Sequence, residues 1–307
     1  MSKVYFTSDA AKAAELFDAA GFFKLIVPGE ETALKIHFGE PGNTAYLKPH
    51  MVRGICEKIK ALGGKPFYTD CNTLYKGPRD NTPDHLKVAA DHGYTLESAG
   101  AEVFIPEEDD KIEVSADLRH FKKLFLTGLL GRVKTIIALT HFKGHDVTGF
   151  GGALKNLGMG FGTRQGKLKM HSDCEHCPEV KTCKKNLTIE SCWFGSSAIV
   201  QEKIAEYAYG AVKDKKAGYF NFLTDVSPNC DCYDHNDPPI VPDIGVLASL
   251  DAVAIDQASV DLVNQTEGRI KSRNKFRALY SNVDWSIQLK HAEKIGLGSR
   301  KYELVEI

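Results

Sequence analysis

The stretch from Glu31 to Asp70 restricts the fold more tightly than any other. "ETALKIHFGE" alternates as a strand does and stops at the turn sequence "EPGN". "KPHMVRGICEKIKALGG" follows, with Pro49 near its start, Gly63 and Gly64 at its end, and Met51, Val52, Ile55, Ile59 and Leu62 at helical spacing. "KPFYTD" then returns to strand. A strand, helix, strand unit requires parallel strands joined by a right-handed crossover. The expected fold class is therefore α/β: a mixed, largely parallel sheet flanked by helices.

The same alternation of elements continues. "DHLKVAADHGY" reads as helix, "AEVFIP" as strand and the acidic run "EEDDK" as a solvated turn. "KIEVSA" and "KKLFLTGLL" alternate or run apolar, and "VKTIIALTHFKGH" is hydrophobic enough for a strand buried on both faces. Later come a helix, "SAIVQEKIAEYAYGAVKD", a strand, "KAGYFNFLTDV", and two further helices, "DAVAIDQASVDLVNQT" and "DWSIQLKHAEKIGLG". Neither a fixed-period repeat nor a low-complexity linker interrupts residues 1–307. They are expected to form one composite domain, with a cysteine-rich insertion at 171–195.

At 307 residues and 43% hydrophobic content, the chain is long enough to bury a full core without disulfides. A formal net charge of -1 removes the main driving force for nucleic acid or an anionic membrane, and leaves small, locally charged ligands in play. The N-terminus lacks the apolar core and cleavage site of a secretory signal, and no apolar run nears the roughly 18 residues of a bilayer span. The expected compartment is the cytoplasm, where eight cysteines are kept reduced and act as buried apolar residues or as ligands. Cys56, on the first helix, reads as core.

Cys174, Cys177, Cys183 and Cys192 are spaced C-x2-C-x5-C-x8-C, with His171 and His176 interleaved. Four thiolates in a reducing compartment suit either a tetrahedral zinc or one 4Fe-4S iron-sulfur cluster, and the spacing matches no standard ferredoxin run or zinc ribbon. "NCDCYDH" offers Cys230, Cys232 and His235 as a candidate second metal site that could complete or compete with the first; the plainer reading is a turn held by Asp231 and Asp234.

In an open α/β sheet, ligands sit beyond the carboxyl ends of the strands. Those ends carry His37, the polar loop with Asp70, Asn72, Lys76 and Arg79, and "HFKGH". His141, Lys143 and His145 project to one side if that segment stays extended, bringing two imidazoles and an ammonium together for proton transfer, anion binding or metal ligation. Next comes a glycine-rich stretch, "GFGGALKNLGMGFGTRQGK", whose backbone must closely approach another chain segment or a ligand. Gly151, Gly152, Lys155 and Asn156 could hold a phosphate or carboxylate there, although no nucleotide-binding glycine motif is matched.

"KIHFGEPGNTAYLKP", "GGKPFYTDCNTLYKG", "THFKGHDVTGFGGALKNLGMG", "NFLTDVSPNCDCYDHNDPPIVPDIGVLAS" and "DAVAIDQASVDLVN" together resemble the domain of unknown function 362 family, in particular the branch labelled Fe-S centre proteins. The resemblance runs over roughly residues 30 to 265. It puts an iron-sulfur centre ahead of zinc, and it marks His37, Asp70, Asn72, His141, Lys143, His145, Lys155, Asn156, Cys230 and Cys232 as candidate site residues without assigning them roles. Relatives commonly carry a two-run ferredoxin-like insertion after the segment matching "GKLKMHSD"; here the four cysteines of 171–195 suffice for a single cluster. Three functions follow as expectations. The first is a redox protein, an oxidoreductase if catalytic, acting on a small anionic molecule or a redox partner protein. The second is a non-catalytic binding or scaffold protein with a structural zinc. The third is a non-redox acid-base enzyme using His141, Lys143 and His145, with Lys155 beside them. The oligomeric state is left open.

Overall fold

The computed structural model describes residues 1–183 and 192–307. Part of the expected insertion, residues 184–191, lies outside the described residues. The strands are β1 (Ser2–Thr7), β2 (Glu31–Lys35), β3 (Lys65–Thr69), β4 (Val103–Phe104), β5 (Lys111–Ser115), β6 (Lys123–Thr127), β7 (Thr135–His141), β8 (Lys143–His145), β9 (Gly149–Gly151), β10 (Lys216–Leu223), β11 (Gly245–Ser249) and β12 (Tyr302–Glu306). The helices are α1 (Ala13–Ala19), α2 (Pro49–Ala61), α3 (Thr82–Asp91), α4 (Leu96–Ala99), α5 (Leu129–Arg132), α6 (Ala153–Phe161), α7 (Arg164–His171), α8 (Ser197–Val212), α9 (Ala252–Gln265), α10 (Lys275–Leu279) and α11 (Ser286–Lys294).

Eight strands form one mixed sheet in the order β12-β1-β11-β10-β7-β2-β3-β4. Pairing is parallel from β10 through β7, β2 and β3 to β4; β11 runs antiparallel to both β10 and β1, and β12 is parallel to β1. The expected α/β class and the strand, helix, strand unit are both present. All seven residues of β7 are buried, as expected for a central strand covered on both faces. One apolar cluster, including Leu154, Ile204 and Ile255, lies on one side of the sheet; a second, including Phe17, Ile55 and Phe220, lies on the other.

"KIEVSA" and "KKLFL" stand outside this sheet as the antiparallel pair β5-β6. "AEVFIP" contributes only the two residues of β4. The glycine-rich stretch supplies β9, α6 and the start of α7, and Gly158 within it permits close helix packing. A Cβ on Gly158 would sit 2.4 Å from the Ile204 carbonyl oxygen in α8, so only glycine lets these helices approach. Among the described residues no helix is long and apolar enough to cross a membrane.

The start of α6 is fixed from across the core. Asp256, buried in α9, accepts the Ala153 N–H at 2.7 Å and the Leu154 N–H at 3.0 Å, capping two amides that the helix cannot satisfy itself. Burial pushes its carboxyl up to about 6 despite these bonds and one from Asn221. This cap places Lys155 and Asn156 over the carboxyl ends of β2 and β7.

Candidate functional site

A cavity of about 470 Å³ opens beyond those strand ends. Its polar side takes Lys35 at the end of β2 and His37 after it, Asp70 and Cys71 after β3, and Lys143 and His145 of β8. α6 adds Lys155 and Asn156 and the strand before it adds Gly151 and Gly152, while Lys167 and His171 come from α7. Leu74, Val147, Met159, Val200, Ile204 and Trp193 make its walls apolar.

Several cations here are already balanced. Lys35, 1% exposed, donates to Asn156 Oδ1 at 2.8 Å and pairs with Asp70 at 2.9 Å. Burial lowers the Lys35 ammonium; burial also pushes the Asp70 carboxyl up, but Lys35, His37, His85 and Arg79 together outweigh it and hold that carboxyl well below the usual carboxylate range. Asn156 returns its amide hydrogens to the Lys35 and Leu139 carbonyls and to Thr140 Oγ1, locking α6 onto the strand ends. Arg79 is buried against Glu40 at 2.8 Å, with the Tyr75 hydroxyl also donating to Glu40 at 2.6 Å. Lys155 and Lys167 differ: Lys155 lies 3.6 Å from Cys230 Sγ, Lys167 donates to the Gly162 carbonyl at 2.6 Å, and among the described residues neither forms an ion pair with a carboxylate.

"HFKGH" is divided between two strands. β7 ends at His141, and β8 leaves the main sheet to pair with β9. His141 therefore turns behind the cavity, its Nδ1 2.9 Å from Asp231 and its Nε2 2.8 Å from the Thr224 carbonyl. Lys143 faces the cavity but is tied to the same carboxylate at 3.1 Å and to the His141 carbonyl at 2.8 Å. Burial alone would raise the Asp231 carboxyl; His141 and Lys143 instead hold it well below its ordinary range. His37 lines the cavity with Nδ1 accepting the Gly39 N–H at 3.1 Å, and burial keeps its imidazole neutral. Asn72 sits apart, bonded to Thr82 and His85.

At one end of the cavity the ligand atoms of His145, Cys230 and Cys232 lie within 4.8 Å of one another, a group that could bind a metal. Cys230 and His145 are buried. The hydrogen bond from Cys232 pulls the Cys230 thiol well below its ordinary value against burial, with Lys155 and His145 assisting, and correspondingly Cys232 is pushed up. Burial lowers the His145 imidazole. His235, adjacent in sequence, is exposed and paired with Asp234 at 2.8 Å instead.

Cys174, Cys177, Cys183 and Cys192 line a separate, small cavity of about 20 Å³ together with Leu168, Val180 and Phe194. Among the described residues no three of these thiols lie mutually within 4.8 Å. Cys192 faces this small cavity, whereas the next residue, Trp193, lines the large one and packs on His171 with ring centroids 4.3 Å apart. Lys35, Lys167, His171 and Trp193 were not singled out as site residues by sequence pattern; a lysine inside an alternating strand looks solvent-facing until its tertiary partner is known.

The family model described as a domain of unknown function (DUF362) matches residues 32–261. The chain belongs to this family. The DUF362 match spans β2 through most of α9 and so contains the whole cavity and both cysteine groups. Similar solved structures include the lactate racemase apoprotein from Thermoanaerobacterium thermosaccharolyticum, at 15% identity and a TM-score of 0.43, covering 73% of this chain and 51% of that one. A protein from Thermotoga maritima is similar at 11% identity and a TM-score of 0.42, covering 93% of this chain and 58% of that one. This DUF362 chain thus spans little more than half the length of either. No curated protein matches it.

Proposed function

We propose that the chain is a metal-binding redox protein: Cys174, Cys177, Cys183 and Cys192 hold one 4Fe-4S cluster, and the large cavity takes a small organic anion. The shared wall carries this reading, because Cys192 faces the thiol cavity and Trp193 the large one. A tetrahedral zinc with bonds of ~2.3 Å would need sulfurs about 3.8 Å apart. Four cysteine thiolates suit a 4Fe-4S cluster as they suit zinc, and iron and sulfide content separates the two. When bound, a cluster supplies single electrons with little rearrangement.

The chain's own residues would hold the anion. Lys155 and Lys167, free of carboxylate partners among the described residues, offer charge and hydrogen-bond donors, while Leu74, Val147 and Met159 exclude water from an apolar body. Lys35 and Lys143, already paired with Asp70 and Asp231, keep the polar side rigid. Anaerobically purified protein is expected to be brown, with broad absorbance near ~400 nm from sulfur-to-iron charge transfer and with iron and acid-labile sulfide in equal amounts. Cys177→Ser and Cys192→Ser should remove the colour. A colourless protein carrying stoichiometric zinc on these four cysteines overturns the cluster in favour of a structural staple.

A further inference from the structure

We propose that His145, Cys230 and Cys232 form a second, independent metal site that takes one zinc-like divalent cation and leaves a coordination position open toward the cavity lysines. Two thiolates and one imidazole form a donor set suited to zinc, with room for a fourth, exchangeable ligand. The ligand atoms are already gathered within 4.8 Å, and they come from two segments held in register. The Gly144 N–H donates to the Ser227 carbonyl at 2.8 Å, and the Tyr233 N–H closes a turn onto the Cys230 carbonyl at 3.1 Å. A Cβ on Gly144 would sit 2.1 Å from the Pro228 carbonyl oxygen, so β8 and the cysteine loop are as close as backbones allow. Asp231, between the two cysteines, anchors the loop from behind through His141 and Lys143.

The surroundings suit the ion. His145 Nδ1 lies 3.3 Å from Asp146 Oδ1, a carboxylate placed to hold the ring by accepting Nδ1–H once Nε2 binds a metal. Without a metal, the Val147 and Thr148 N–H groups donate to Nδ1 at 3.1 and 3.3 Å, so the ring proton sits on Nε2; loading moves it to Nδ1, with the Val147 N–H kept by Asp146 Oδ1 at 2.9 Å and the Thr148 N–H released from the ring. Two thiolates neutralise the dication, so Lys155, 3.6 Å from Cys230 Sγ, meets no net positive charge and can hold an anion bound at the open position. The site stands whether or not the four-cysteine segment carries a cluster.

Cobalt is the probe. The full chain is stripped with chelator and titrated anaerobically with Co2+, following thiolate-to-cobalt charge transfer and the visible bands of a four-coordinate ion. Cys230→Ser and Cys232→Ser should each remove one equivalent, and His145→Gln should weaken that equivalent by at least ~10-fold. His235→Ala and Cys177→Ser should leave it intact. Unchanged stoichiometry in both the Cys230 and Cys232 variants, or loss of the same equivalent in Cys177→Ser, overturns the site. Circular dichroism of each variant separates loss of metal from loss of fold; if Cys230→Ser unfolds, Cys232→Ser and His145→Gln carry the test. Acetate or inorganic phosphate added to the cobalt form should shift the visible bands, and unshifted bands with both anions overturn the open position.

Discussion

Replacing Asp231 with Asn tests how the cavity's polar side is held. The carboxylate is fully buried and receives His141 at 2.9 Å and Lys143 at 3.1 Å. Asparagine preserves the shape but has one acceptor oxygen, so one of these two donors must face an NH2 group. Removing one partner of a buried pair costs ~3–5 kcal/mol, because the remaining charge stays out of water. With a urea slope of ~3 kcal/mol/M, the unfolding midpoint should fall by about 1–1.7 M. Lys143→Met should also destabilise, and the double variant should lose less than the two costs combined, by roughly 1–3 kcal/mol, since both changes break one interaction. A midpoint within ~0.3 M of wild type, or strictly additive costs, would falsify the pairing and leave Asp231 as a turn residue.

Acid should weaken the fold in two windows. Burial lowers His85 and His171 to about 3, below the ~6.5 of an unfolded chain, so their contribution is present above ~6.5 and is lost as pH falls toward 3. Asp70 and Asp231, held below their unfolded values, add a second loss only below ~4. Urea midpoints at pH 7, 6 and 5 should fall steadily, and His85→Gln should flatten that slope by about 1 kcal/mol per pH unit; an unchanged slope removes His85 from the account. Gly144→Ala, which drives a methyl into the Pro228 carbonyl, should weaken the Co2+ equivalent at Cys230 and Cys232 by ~10-fold or more, at about 1.4 kcal/mol per decade; wild-type cobalt affinity would show that the backbone contact is dispensable. Chelator should speed protease cleavage within 171–195 while sparing the sheet, and equal acceleration elsewhere would contradict a local metal staple.

The strand, helix, strand unit was legible because β2, α2 and β3 each carry their period and end signals locally. β1, β11 and β12 were missed, since short runs such as "GVLAS" become strands only through their neighbours. The cavity lies beyond the strand ends to which a topological rule points, but the side chains within it follow tertiary geometry. The passage from β7 to β8 leaves Lys143 and His145 lining the cavity, while His141 meets Lys143 over Asp231 behind it. His235 is near Cys230 and Cys232 in sequence, yet the spatial partner is His145, delivered by β8. Asp231 looks like a turn-former, and nothing local marks it as the counter-ion of Lys143.

The two ends of the cysteine segment meet: the Gly195 N–H donates to the His171 carbonyl at 2.7 Å. Residues 171 and 195 therefore close a loop at a fixed point on the edges of α7 and α8. Lengthening such a loop costs only about 0.6 kcal/mol per doubling. The junction acts as a socket: it fixes where the segment leaves and rejoins the fold, and it sets Trp193 on the wall of the large chamber. Segment and chamber are thus tied where two backbone groups clasp, with the Trp193 ring on His171 beside them.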